Sequence, residues 1–132
     1  MTAGETLASA IRIGDPVSAP RAMEAMRALD GVAEDATEAE IAEEAYRADR
    51  TGLYVCPHTA VALVATRKLR AAGTIERDHR VVVVSTASAL KFTELKLAYH
   101  ESKLPDVETP LANVPIPLPP DVDAVAKSLE KL

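Results

Sequence analysis

Four consecutive valines, Val81–Val84, constrain what this chain can fold into more than any other feature of it. An unbroken β-branched run reads as a strand buried on both faces, and such strands belong to parallel sheets covered by helices on each side. The surrounding pattern agrees with that class. Ser18 is placed to cap a helix with Pro20 in its first turn and Ala22, Met23, Met26 and Leu29 at helical spacing, stopped by Gly31. Val32-Ala33 then reads as a very short strand. Thr37-Glu38-Ala39-Glu40 matches a capping box, opening a helix with Ile41, Ala42, Ala45 and Tyr46 on one face and Gly52 at its end. Leu53-Tyr54-Val55 predicts a strand, and Thr59 to Ala72 an apolar helix whose basic Arg67, Lys68 and Arg70 suit the negative end of the helix dipole. A further helix is expected from about Leu90 to His100. Strand and helix thus alternate, which predicts an α/β fold: three layers, with a parallel sheet segment between helices on both faces.

The regular pattern stops near Ser102. Six prolines between Pro105 and Pro120 exclude helix or sheet over most of that stretch and favour extended geometry. Val122, Val125, Ala126 and Leu129 then define a short amphipathic helix. The organisation expected is an α/β domain over residues 1–101 and a Pro-rich surface tail over 102–132 ending in that helix. Three short strands with so few helices leave a Val81–Val84 strand inadequately covered, so the sheet is expected to continue in another segment.

Composition narrows the function. A net charge of −5 with 3% aromatic residues speaks against nucleic-acid binding, which relies on phosphate neutralisation and base stacking. No apolar run approaches the ~18 residues of a membrane span. The single cysteine, Cys56, has no internal partner and suits a reducing compartment, and the amino terminus lacks the features of a secretory signal, so a cytoplasmic location is expected.

Chemistry-bearing residues are few. Cys56-Pro57-His58-Thr59 admits two interpretations: a thiol nucleophile with its imidazole base at a helix N-terminus, or a strand-to-helix turn that lines a pocket with a small buried thiol. The second is preferred, because residues this close in sequence rarely face each other productively and no third orienting group is evident. Cys56 and His58 lack a second pair at metal-ligand spacing, so no metal site is expected. Neither glycine-rich phosphate motif occurs. Ser85, Thr86 and Ser88 stand where a parallel strand ends, the place where open sheets bind ligands. Their hydroxyls are suited either to an uncharged heteroaromatic nitrogen or to capping the next helix.

Four stretches in order, Ala10–Ser18 (AIRIGDPVS), Gly31–Ile41 (GVAEDATEAEI), Thr51–Leu63 (TGLYVCPHTAVAL) and Asp78–His100 (DHRVVVVSTASALKFTELKLAYH), resemble the C-terminal part of the threonine synthases, plant-like group, among the fold type II pyridoxal-phosphate enzymes. Such enzymes convert O-phosphohomoserine and water to threonine and phosphate, holding pyridoxal 5′-phosphate on a Schiff-base lysine. The resemblance implies that Thr86 faces the pyridine nitrogen of the cofactor, and that Ser85, Ala87, Cys56, Pro57, His58 and Thr59 line its pocket. It implies no catalytic residue in this chain. Lys91 matches a downstream family lysine rather than the cofactor lysine, which lies with the glycine-rich loop upstream of the matched region. The chain is therefore expected to be inactive alone and to bind no cofactor covalently. Its expected partner is the N-terminal part of the enzyme, in a complete protein that forms homo-oligomers. One departure stands inside the strongest motif: Ser88-Ala89 replaces the family's His-Gly, restricting the backbone and removing an imidazole. The alternatives are a non-catalytic module that binds a partner through an open sheet edge, and a piece of another fold type II enzyme such as a dehydratase.

Overall fold

The computed structural model describes residues 2–131. Its α-helices are α1 (Ala19–Ala28), α2 (Glu38–Asp49), α3 (Pro57–Ala71), α4 (Thr93–His100) and α5 (Val122–Leu129), with single 3-10 turns at Ser9–Ile11 and Ala89–Lys91.

The centre is the packing of α2 on α3. The α2 stripe of Ile41, Ala42, Ala45 and Ala48 is buried, and Ile41 and Ala45 meet Ala60 of α3, flanked by Ala36 and Val61. The facing surfaces are mostly small residues, with Ile41 the largest side chain of the buried cluster. Burying one such side chain stabilises by about 1.5–3 kcal/mol. Thr37 opens α2 as expected: its side chain accepts from the Glu40 amide at 3.3 Å while the Glu40 carboxylate accepts from the Thr37 amide at 2.7 Å. α4 joins this pair through Tyr99, which is buried and stacks on Tyr46 at 5.6 Å between ring centroids.

Two helix boundaries differ from expectation. α3 begins two residues early, with Cys56 at the N-cap in extended geometry and Pro57 in the first helical position. Proline there lacks only an N–H that would have had no partner, and it holds the preceding residue extended. The segment after Ser88 forms a 3-10 turn before α4 rather than one continuous helix. At the end of α1, Asp30 carries the positive φ of 50° and Gly31 follows it. The Gly31 amide bonds the Met26 carbonyl at 2.7 Å, closing a Schellman turn. A Cβ at Gly31 would stand 2.8 Å from the Met26 sulfur and 3.3 Å from the Met26 Cα, so a larger residue here requires the Met26 side chain to move.

The sheet is the main correction. Among the described residues no strand ladder forms, and Val55 and Ser88 make one isolated antiparallel bridge. Val81, Val82 and Val84 are 46%, 89% and 72% exposed, where burial on both faces was expected. Val32-Ala33 is likewise irregular. A strand requires a neighbour for its backbone groups and apolar layers for its faces. Among the described residues none pairs its backbone with Val81–Val84, and Val83 alone of the four is partly covered. The Pro-rich stretch has no regular structure, as expected, and α5 is capped by Asp121, whose carboxylate accepts from the Ala124 amide at 2.8 Å.

Candidate functional site

The bridge at Val55 and Ser88 brings the two sequence-predicted clusters together. The Cys56 amide donates to the Ala87 carbonyl at 3.2 Å, and the Ala89 amide to the Tyr54 carbonyl at 3.0 Å. These bonds lay the residues after the valine run against the start of α3. There, side chains 26 to 30 residues apart meet. Thr59 Oγ1 lies 3.2 Å from Cys56 Sγ and 3.3 Å from Ser85 Oγ, and accepts from the Thr86 amide at 3.3 Å. Thr86 Oγ1 is 3.6 Å from Cys56 Sγ. Cys56, Pro57 and Thr59 are buried, whereas Ser85 and Thr86 are exposed. The cluster therefore has a fixed floor on α3 and an open polar rim.

Burial pushes the Cys56 thiol up, but hydrogen bonding from Thr59, and then from His58 and Thr86, outweighs it and holds the group down at about 6. Its place at a helix N-terminus, where amide dipoles favour negative charge, acts in the same direction. His58 has a second task. Its Nε2 accepts from the Ala10 amide at 2.8 Å, and its ring meets Phe92 edge-on at 5.2 Å. The imidazole thus ties the amino-terminal segment to α3 and α4. With Nε2 committed to the Ala10 amide, the nucleophile-and-base interpretation of Cys56 and His58 loses its free base.

Ser88 and Ala89 fit this framework without a left-handed backbone. Ser88 Oγ accepts from the Leu90 amide at 3.2 Å, and Ala89 is buried with a backbone outside the left-handed region. Lys91 is exposed on the 3-10 turn, away from the hydroxyl cluster's hydrogen bonds.

One charged pair escaped sequence reasoning. Lys96 of α4 is buried, and its Nζ donates to both oxygens of Asp49 at 2.8 and 2.7 Å and to the Ala45 carbonyl at 3.3 Å. The Tyr54 ring lies 5.2 Å from the same nitrogen. Forty-seven residues separate the partners, and no local pattern links them. Burial raises the Asp49 carboxyl above its ordinary value while Lys96 draws it down, the burial effect being larger. This pair anchors α4 to α2, beside Tyr54, the residue before the bridge.

A different surface feature, the cluster of Glu76, Asp78 and His79, is wholly exposed, and its His79 Nδ1 accepts from the Glu76 amide. No described helix is long and apolar enough to cross a membrane.

No family model matches the chain. Individual proteins do. It is 48% identical over 116 residues to threonine synthase 2, chloroplastic, of Arabidopsis thaliana, an alignment covering 88% of this chain and 22% of that protein. It is 34% identical over 129 residues to the threonine synthase of Methanocaldococcus jannaschii, covering 97% of this chain and 29% of the relative. To the threonine synthase of Methanosarcina acetivorans it is 43% identical over 88 residues, 66% of this chain and 22% of the relative. The chain thus spans less than a third of the length of the relatives it matches.

Proposed function

We propose, on the premise that this chain is homologous to the threonine synthases over most of its length, that its residues form the C-terminal portion of a threonine-synthase-like enzyme. They supply one wall of its pyridoxal-phosphate pocket. The complete enzyme forms threonine and phosphate from O-phosphohomoserine and water, and the remainder of the protein contributes the lysine and glycine-rich loop that anchor the cofactor. Residues 1–101 then belong to the α/β domain, and 102–132 run over its surface. Val81–Val84 pairs with strands of that remainder, completing a parallel sheet between two helical layers.

The observation that carries this proposal is the convergence of the Ser85–Thr86 rim on the Cys56–Thr59 turn through hydrogen bonds of 3.2 to 3.6 Å. Its donor set suits the cofactor. Thr86 and Ser85 are exposed neutral hydroxyls, and no carboxylate takes part in their hydrogen bonds. Such a set matches an uncharged heteroaromatic nitrogen, whereas a carboxylate would favour the protonated ring. Thr86 holds the ring nitrogen. Ser85 and Ala87 border it, and Cys56, Pro57, His58 and Thr59 form the floor. When bound, pyridoxal phosphate supplies the electron sink for the substrate's carbon skeleton. This chain's part is to orient the ring and exclude water from one side.

A chimera tests the proposal: the matched stretch of the Arabidopsis relative is replaced by the corresponding residues of this chain. The expected result is visible absorbance from bound cofactor and threonine formation from O-phosphohomoserine, both lost or reduced on Thr86→Val. The 132 residues alone with added pyridoxal phosphate are expected to form no threonine. A folded chimera that binds no cofactor overturns the proposal, as does threonine formation by the isolated chain.

A further inference from the structure

Within this cluster one side chain has every hydrogen-bonding position filled by protein. A threonine hydroxyl has one hydrogen to donate and two lone pairs to accept with. The Thr59 hydroxyl has three partners: the Thr86 amide at 3.3 Å, Ser85 Oγ at 3.3 Å and Cys56 Sγ at 3.2 Å. The amide can only donate, so it takes one lone pair. The hydrogen and the other lone pair are divided between Ser85 and Cys56. Nothing is left over for a ligand, and the residue is 2% exposed.

Thr59 also sits at a rigid place joined to a loose one. It lies in the first turn of α3, whereas Ser85 and Thr86 lie on an irregular exposed segment. The main-chain bonds at Ala87 and Ala89 fix the far end of that segment. At Ser85 and Thr86 themselves, Thr59 provides one contact to the main chain and one to a side chain.

We propose that Thr59 is the positioning residue of this site, its hydroxyl fixing Thr86 and Ser85 in register with the α3 N-terminus so that Thr86 meets a ring nitrogen in one geometry. The proposal rests on the assignment of Thr86 to the cofactor, but its test needs no cofactor, so the two stand or fall separately. The 132-residue chain is compared with its Thr59→Val and Thr59→Ser variants by two measurements. One is hydrogen exchange at the Thr86 amide. The other is ultraviolet titration of the thiolate, which belongs to Cys56 alone because the chain has no second cysteine.

In the wild type the Thr86 amide is expected to be protected and Cys56 to titrate near 6. The Val variant, similar in shape but without the hydroxyl, should exchange the Thr86 amide about tenfold faster, the loss of one hydrogen bond. Its Cys56 should titrate closer to the ordinary value of 9.0. The Ser variant should restore both readings. An unprotected Thr86 amide in the wild type overturns the proposal whatever the variants do. A folded Val variant with unchanged exchange and titration overturns it as well. Should the Val variant fail to fold, the wild-type protection and its retention in the Ser variant decide.

Discussion

Replacing Lys96 by methionine removes the charge that faces Asp49 while keeping an apolar stem of similar length. In the native structure the Lys96 side chain is 9% exposed and that of Asp49 16%, so water screens the pair weakly. Lys96 Nζ satisfies both carboxylate oxygens and the Ala45 carbonyl. Lys96→Met therefore leaves a largely buried carboxylate without its ion-pair partner, the weaker influence of His100 alone remaining, which costs about 3–5 kcal/mol. The pH dependence has a definite sign. The Asp49 carboxyl is already raised from its ordinary 3.8 by burial, and Lys96 is the chief influence drawing it down. Without Lys96 it rises further, and the native state then holds a proton that the unfolded chain has released. Stability consequently falls as pH rises from 3.8 through the native value, and the penalty of the variant is greatest at neutral pH. Urea unfolding of wild type and variant at pH 7 and near pH 4 measures this directly. A second change, Asp49→Leu, made on the Lys96→Met background, should recover a good part of the loss. A neutral-pH penalty below about 1 kcal/mol, the range of exposed pairs, would refute the argument. So would a penalty that does not shrink in acid.

Thr37→Ala removes one half of the capping box of α2 and should cost about 1 kcal/mol in the same urea assay. The Glu40 carboxyl is held below its usual 4.5 first by the Thr37 amide and then by Lys68, so its contribution is present above 4.5 and fades as pH falls through the lowered native value. His58→Ala deletes the acceptor for the Ala10 amide and the edge contact with Phe92. Limited proteolysis should then cut near Ser9–Ile11 faster than in the wild type, with α2 and α3 unaffected; an unchanged cleavage rate would show that His58 does not hold this segment.

What was legible in the sequence is what local chemistry decides. The Thr37 capping box, the apolar stripe of Ile41, Ala42 and Ala45, and the amphipathic spacing of Val122, Val125, Ala126 and Leu129 all depend on neighbours within a turn or two. The start of α3 is ambiguous in the sequence because Thr59 is a plausible cap, whereas Pro57 suits the first helical position and Cys56 takes the cap. The site residues were identified mainly through family resemblance. That Thr59 joins both halves of the cluster depends on the Val55–Ser88 bridge, and no spacing in the sequence reveals it. Lys96 with Asp49 and His58 with Ala10 were invisible for the same reason. The expectation that the valine run is buried presumed strands that the described residues do not provide.

The exposed valines also carry a kinetic consequence. A short, uncharged, β-branched segment with unpaired backbone groups is the kind of sequence that adheres to another copy of itself. Its flanks, Arg80 on one side and the hydroxyls of Ser85 and Thr86 on the other, provide only one charge to oppose this. If the segment acquires its neighbours from elsewhere in a larger protein, intramolecular pairing must outrun encounter between chains. Order of assembly, as much as final stability, then governs how much folded protein a cell obtains. A concentration-dependent loss of soluble chain, relieved by placing a lysine at Val82, would be the visible sign of that race.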